Sequence, residues 1–123
     1  MPANNIDPGF KKFTKYWLVL LLWLGVIFYF SSLPGKDIPA LFPLQDILFH
    51  AVTYAVLAYL FIRALKNTCP GLARPKLILF TFVFGVIYGL SDEFHQSFVP
   101  GRQASAFDLF VDSVSCFIGS FFY

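Results

Sequence analysis

Residues 77–90 read LILFTFVFGVIYGL, and residues 91–108 continue SDEFHQSFVPGRQASAFD. The first segment suits lipid. The second stops it with two adjacent acids, a histidine, a glutamine and an arginine, and how the chain passes from one chemistry to the other decides its fold. Of 123 residues, 58% are hydrophobic, 20% aromatic and only 13% charged, too few polar side chains to cover a water-soluble domain. The composition is that of an integral membrane protein. A net charge of +2 is too small to point to a nucleic-acid partner, so no nucleic acid is expected.

About 20 apolar residues cross a bilayer as a helix, and four such spans are predicted outward from this stretch: 16–30, 44–65, 76–99 and 105–123. The expected fold is all-α, a four-helix bundle in lipid forming a single domain over residues 1–123. The first run follows Lys11, Lys12 and Lys15 and stops at Ser31-Ser32-Leu33-Pro34-Gly35. A basic start also describes a signal peptide, but this run closes on Phe28-Tyr29-Phe30, an interfacial anchor in place of a small-residue cleavage site. Prolines and glycines mark the connections at 31–43, 66–75 and 99–102. Gly85 with Gly89, and Ala51 with Ala55, are spaced for close helix contact.

Lysine and arginine set the orientation. Three lysines precede the first span, and Arg63, Lys66, Arg74 and Lys76 surround the second connection, whereas the first connection has Lys36 and the third Arg102. Both termini are therefore expected on the cytoplasmic side of a multi-pass protein. Cys69 then faces the cytoplasm and Cys116 lies within a span, so both are expected reduced.

With that sidedness, three spans bring their polar residues to the extracytoplasmic end. Asp46, His50 and Tyr54 are spaced four apart on one stripe of the second span, with His50 about 6 Å and Tyr54 about 12 Å deeper than Asp46 at 1.5 Å per residue. Tyr88, Asp92 and Gln96 form a stripe at the end of the third, with Glu93 and His95 to its sides. Asp108, Asp112 and Ser115 follow at the start of the fourth. Ionised groups at membrane depth are costly, so such a cluster faces inward, pairs, and lines a cavity. Arg102 is the fixed cation expected to meet these carboxylates, and they outnumber it. Either some keep protons, or another cation joins them: a histidine, a divalent metal ion or a charged substrate group. Helix-start positions on favourable dipole ends account for Asp46 and Asp108 without any function, but not for the deeper His50, Tyr54 and Asp112.

The pattern Asp46-x-x-x-His50-x-x-x-Tyr54, followed by Tyr88-Gly89-x-Ser91-Asp92-Glu93-x-His95-Gln96-x-Phe98-Val99-Pro100-Gly101-Arg102-x-Ala104-Ser105-x-x-Asp108, resembles the VanZ-like family of small bacterial membrane proteins, as does Phe30-Ser31-Ser32-Leu33-Pro34-Gly35. The resemblance implies a protein of the bacterial cytoplasmic (inner) membrane and cell envelope, in a family linked to glycopeptide resistance of the teicoplanin type. Ile47 stands where the family commonly has lysine, Asp112 where it often has asparagine, and Ser115 where it commonly has glycine. The first two changes move the site two charges toward negative, which favours a metal or a shared proton.

Two classes of function follow. In the first, an enzyme acts on a lipid or a lipid-linked, phosphate-bearing substrate such as a cell-wall precursor. His50 is then base or nucleophile, oriented by Asp46 or Asp92, with Glu93 the acid and Arg102 the phosphate clamp. Asp46, Tyr54, Gln96, Arg102, Asp108 and Asp112 are the expected substrate-binding residues. A metal-dependent version draws its ligands from His50, His95, Asp92, Glu93, Asp108 and Asp112, on a helix where Asp92 and His95 share a face and Glu93 points aside. In the second class, the same cavity binds or transports a headgroup without covalent chemistry, or modulates a cell-wall enzyme. Transport through so small a protein calls for a homodimer, and the apolar cytoplasmic half counts against it.

Overall fold

The computed structural model describes residues 5–123. Helix α1 spans Pro8–Ser32, α2 Gln45–Thr68, α3 Arg74–Gln96 and α4 Ala106–Gly119, with 3₁₀ turns at Gly35–Asp37 and Ser120–Phe122. Most starts have a local cause. Asp7 Oδ2 accepts from Phe10 N at 3.2 Å ahead of Pro8, a residue that costs nothing in a first turn, where its missing N–H has no partner to lose. Helix α1 thus begins well before the apolar run and carries its lysines on the helix itself. Ser105 Oγ caps α4 by accepting from Asp108 N at 3.3 Å, the usual service of a serine at this position. Helix α2 has no side-chain cap; it follows Leu44 at φ 65°, a left-handed conformation costing an L-residue about 1–2 kcal/mol. Gln45 braces that bend, its Oε1 accepting from Leu41 N at 2.7 Å and its Nε2 donating to Pro39 O at 2.8 Å.

The predicted spans need two corrections. Helix α3 ends at Gln96, not at Val99: Phe98 N and Val99 N donate to His95 O and Gln96 O in tighter three-residue turns, and Pro100 disfavours the helical conformation at Val99. Three helices, α1 to α3, are long and apolar enough to cross a membrane. Helix α4 is not: its 14 residues reach about 21 Å at 1.5 Å per residue, short of a hydrocarbon layer of about 30 Å.

Helix α2 packs against each of the other three, and Leu57, Ala58, Ile62 and Ala64 are fully buried on it. Leu22, Ile87 and Phe110 are more than half exposed, as side chains in lipid contact are. Glycine lets backbones approach where side chains would collide. A Cβ on Gly85 would run into Cys116 of α4, and one on Gly119 into the backbone of Ala55 in α2. Arg63 lies 4.9 Å over the Tyr16 ring, and Arg74 Nη1 donates to Tyr123 O at 2.8 Å, so basic residues of α1, α2 and α3 share the end away from the acids.

Candidate functional site

His50 is the centre of the polar end. It lies one turn into α2, 3% exposed, and its Nδ1–H donates to Asp112 Oδ1 of α4 at 2.7 Å. Its other nitrogen, Nε2, is 3.7 Å from Asp46 Oδ1 and 3.9 Å from Asp108 Oδ2. Asp46 precedes it by one turn and its side chain is largely exposed; Asp108 is buried in the first turn of α4. The imidazole is therefore fixed at one nitrogen and faces two carboxylates with the other.

Tyr54, one turn deeper and fully buried, lies parallel to the His50 ring at 6.3 Å between centroids. Its hydroxyl donates to Asp92 Oδ2 of α3 at 3.0 Å. The stripe expected on α2 thus splits its partners: His50 takes α4 and Tyr54 takes α3. Glu93 is buried, not turned aside. Its Oε2 accepts from Ser105 N at 2.7 Å, and a carboxylate oxygen of Glu93 lies within reach of His50 and Asp112. The reason is that α3 is flanked by both α2 and α4, so residues 100° apart on its surface are both covered. Glu93 Oε1 and Asp112 Oδ2 are buried with no hydrogen-bond partner among the described residues.

His95 does not join this cluster. Its Nε2 donates to Ser32 Oγ at 2.9 Å, the hydroxyl itself donating to Phe28 O, and its ring stacks on Phe28 at 4.6 Å. It ties α3 to α1 and shares no site with Asp92. Gln96 Nε2 donates to Ser31 Oγ at 3.4 Å, also across to α1.

Arg102 departs most from expectation. Its Nη1 donates to Phe30 O at 3.0 Å and Leu33 O at 3.2 Å, and among the described residues no carboxylate lies within ion-pair distance of it. The last carbonyls of a helix have no partner inside it, and α1 obtains one from this guanidinium. Both cysteines are free, Cys69 exposed and Cys116 buried.

Outside the cluster lies a cavity of about 970 Å³ between the 33–44 connection and the 100–105 turn. Asp46, Asp108, Gln96 and Arg102 line it together with apolar residues such as Phe42 and Phe49, a mixture typical of small-molecule sites. Ser31 and Ser105 bond directly to site side chains and were not singled out among the expected site residues. The one signal for them was their place inside the polar motifs FSSLPG and PGRQAS.

No curated protein and no solved structure matches the chain. A family model described as VanZ/LLP1 matches residues 16–123, which include α2, α3, α4 and every residue of the cluster. The chain belongs to the VanZ/LLP1 family.

Proposed function

We propose that this is a bacterial envelope membrane protein whose cavity receives the headgroup of a lipid or lipid-linked, phosphate-bearing molecule at the extracytoplasmic face. The observation that carries the reading is the His50–Asp112 pair: Nδ1 pinned at 2.7 Å, with Nε2 turned toward Asp46 and Asp108, which line the cavity. An imidazole held in one tautomer by a buried carboxylate is the arrangement that prepares its far nitrogen for proton transfer or for holding a cation. The apolar part of the lining suits acyl or prenyl chains, and Arg102 supplies a guanidinium for a phosphate oxygen. Sidedness rests on the separation of basic and acidic ends. Protection against a glycopeptide antibiotic, the effect tied to the family's name, would act at this same face.

A non-catalytic reading has support of its own. Four carboxylates, Asp46, Glu93, Asp108 and Asp112, are drawn together around one imidazole, with Asp92 held nearby by the Tyr54 hydroxyl, which favours recognition of a headgroup carrying a positive charge. The test is incubation of purified protein in lipid nanodiscs with phosphatidylethanolamine and with an isoprenyl diphosphate, followed by ³¹P spectroscopy. New phosphorus resonances that vanish in His50→Gln support turnover. His50-dependent binding without new resonances supports recognition alone. Neither effect in the wild type rejects the headgroup reading.

A further inference from the structure

We propose that Glu93 and Asp112 hold one hard divalent cation, of the Mg²⁺ or Mn²⁺ class, in the core of the bundle between α3 and α4. The proposal does not rest on the headgroup reading, since neither carboxylate lines the cavity.

Two atoms carry it. Glu93 is 7% exposed and Asp112 0%, and each carboxylate has one oxygen engaged and one left over. Glu93 Oε2 accepts from Ser105 N, and Asp112 Oδ1 from His50 Nδ1–H, both at 2.7 Å. Glu93 Oε1 and Asp112 Oδ2 are buried without a partner among the described residues. A buried polar atom is seldom left so. Here two belong to one small group, because donor atoms of Glu93, Asp112 and His50 lie within 4.8 Å of one another.

The free oxygen of Asp112 has a definite direction. A Cβ on Gly89 would stand 3.5 Å from Asp112 Oδ2, so this atom of α4 is turned toward α3. Gly89 and Glu93 are one turn apart on the same face of α3, which puts Glu93 beside the place to which Oδ2 points. Oxygens sharing an ion with bonds of about 2.1 Å stand about 3 Å apart when adjacent and about 4.2 Å when opposite, a spacing this group admits. Hydrogen bonds to the engaged oxygens are the support that ligating carboxylates need.

Charge selects the occupant. Among the described residues Glu93 has no basic nitrogen within 4 Å, His50 is shared by Asp46, Asp108 and Asp112, and Arg102 directs Nη1 to the α1 carbonyls. Buried charges left unpaired are strongly unfavourable, and one divalent ion cancels two carboxylates. Oxygen donors suit Mg²⁺ and Mn²⁺, and one or two carboxylates commonly hold the smaller ion. His50 Nδ1 already serves Asp112, so the imidazole orients a ligand and is not one itself. Ion sites in helix bundles are built in this way, from side chains on facing helices. Such an ion ties α4, too short to cross the hydrocarbon layer, to the membrane-length α3.

The experiment is titration of the chelator-stripped, detergent-purified full chain with MnCl₂, followed by electron paramagnetic resonance, with MgCl₂ as competitor and thermal unfolding measured with and without MnCl₂. The expected result is one Mn²⁺ per chain, displaced by Mg²⁺ and bound more weakly by about 10-fold or more in Asp112→Asn and in Glu93→Gln. Asp46→Asn, whose side chain is 67% exposed and whose charge is screened by salt, should change the affinity by less than about 3-fold. Saturating Mn²⁺ should raise the unfolding midpoint of the wild type and not that of the two core variants. Should Asp112→Asn fail to fold, Glu93→Gln carries the test, since its amide oxygen can still accept from Ser105 N. No stoichiometric ion on the wild type, undiminished affinity in Glu93→Gln, or an equal loss in Asp46→Asn overturns the proposal. Lipid engagement by an ion-free protein overturns the ion alone, whereas ion binding by a protein that engages no lipid leaves the site standing and removes the headgroup reading.

Discussion

Gly35 and Gly101 meet backbone to backbone. Gly35 N donates to Pro100 O at 2.9 Å, and a Cβ on Gly35 would strike the Gly101 carbonyl. Two Pro-Gly turns far apart in sequence thus interlock beside the cavity. Gly101 also has φ +75°, where a side chain costs about 1 kcal/mol or more. Gly35→Ala and Gly101→Ala should each lower stability, Gly35→Ala by about 1–3 kcal/mol as an overpacked contact. Thermal unfolding in detergent checks this; an unchanged midpoint for Gly35→Ala would contradict the contact.

The His50–Asp112 pair should behave as a unit. Removing one partner of a buried, charge-assisted pair costs about 3–5 kcal/mol, whereas replacing both by apolar residues is far milder. His50→Leu and Asp112→Leu should each be strongly destabilising and the double variant less so than their sum. Denaturant unfolding across the four proteins measures the coupling, and simple additivity would mean the two side chains do not interact.

Tyr54→Phe removes the one hydroxyl that donates to Asp92 Oδ2 while keeping the ring. The carboxylate left behind is buried, so a loss of about 1–3 kcal/mol is expected. Tyr88→Phe, whose hydroxyl donates to Leu24 O at 2.8 Å, should cost less, about 0.5–1.5 kcal/mol, as a neutral hydrogen bond.

Gly85 faces the Cys116 thiol across α3 and α4. Gly85→Ala should destabilise by about 1–3 kcal/mol through overpacking, and Cys116→Ala, which removes the nearest atom, should recover part of that loss in the double variant. No recovery would place the strain elsewhere.

Sidedness has a direct test, because Cys69 is exposed at the basic end. In a Cys69→Ser background, Lys36→Cys and Gln103→Cys should react with an impermeant thiol reagent added to intact cells, whereas the native Cys69 should react only after permeabilisation. The opposite pattern would invert the orientation and move the cavity to the cytoplasmic face.

Much of this arrangement was legible in the sequence. Apolar runs gave three membrane-length helices, and the four-residue spacing gave one stripe on α2, buried at His50 and Tyr54 and exposed at Asp46, because both follow from local periodicity. Partners did not follow. Nothing in the spacing says that His50 meets Asp112 while Tyr54 meets Asp92, since that depends on how α3 and α4 sit on α2. A helical wheel turned Glu93 aside because it assumes one covered face, and α3 packs against α1, α2 and α4. The fourth run was as apolar as the others, yet α4 stops at Gly119, where the chain lies against the α2 backbone, a contact between residues distant in sequence.

The hydrogen bonds of Arg102 have a mechanical consequence. Helix α1 is the loosest of the three long helices, with 11% of its most apolar stretch buried against 39% for α2 and 33% for α3. Its last carbonyls are held by the guanidinium that a phosphate entering the cavity would seek. Anion and helix end compete for the same N–H groups. On the headgroup reading, a ligand that captured Nη1 would leave the last carbonyls of α1 unpartnered, while the His95–Ser32 and Tyr88–Leu24 bonds kept the rest of the helix in place.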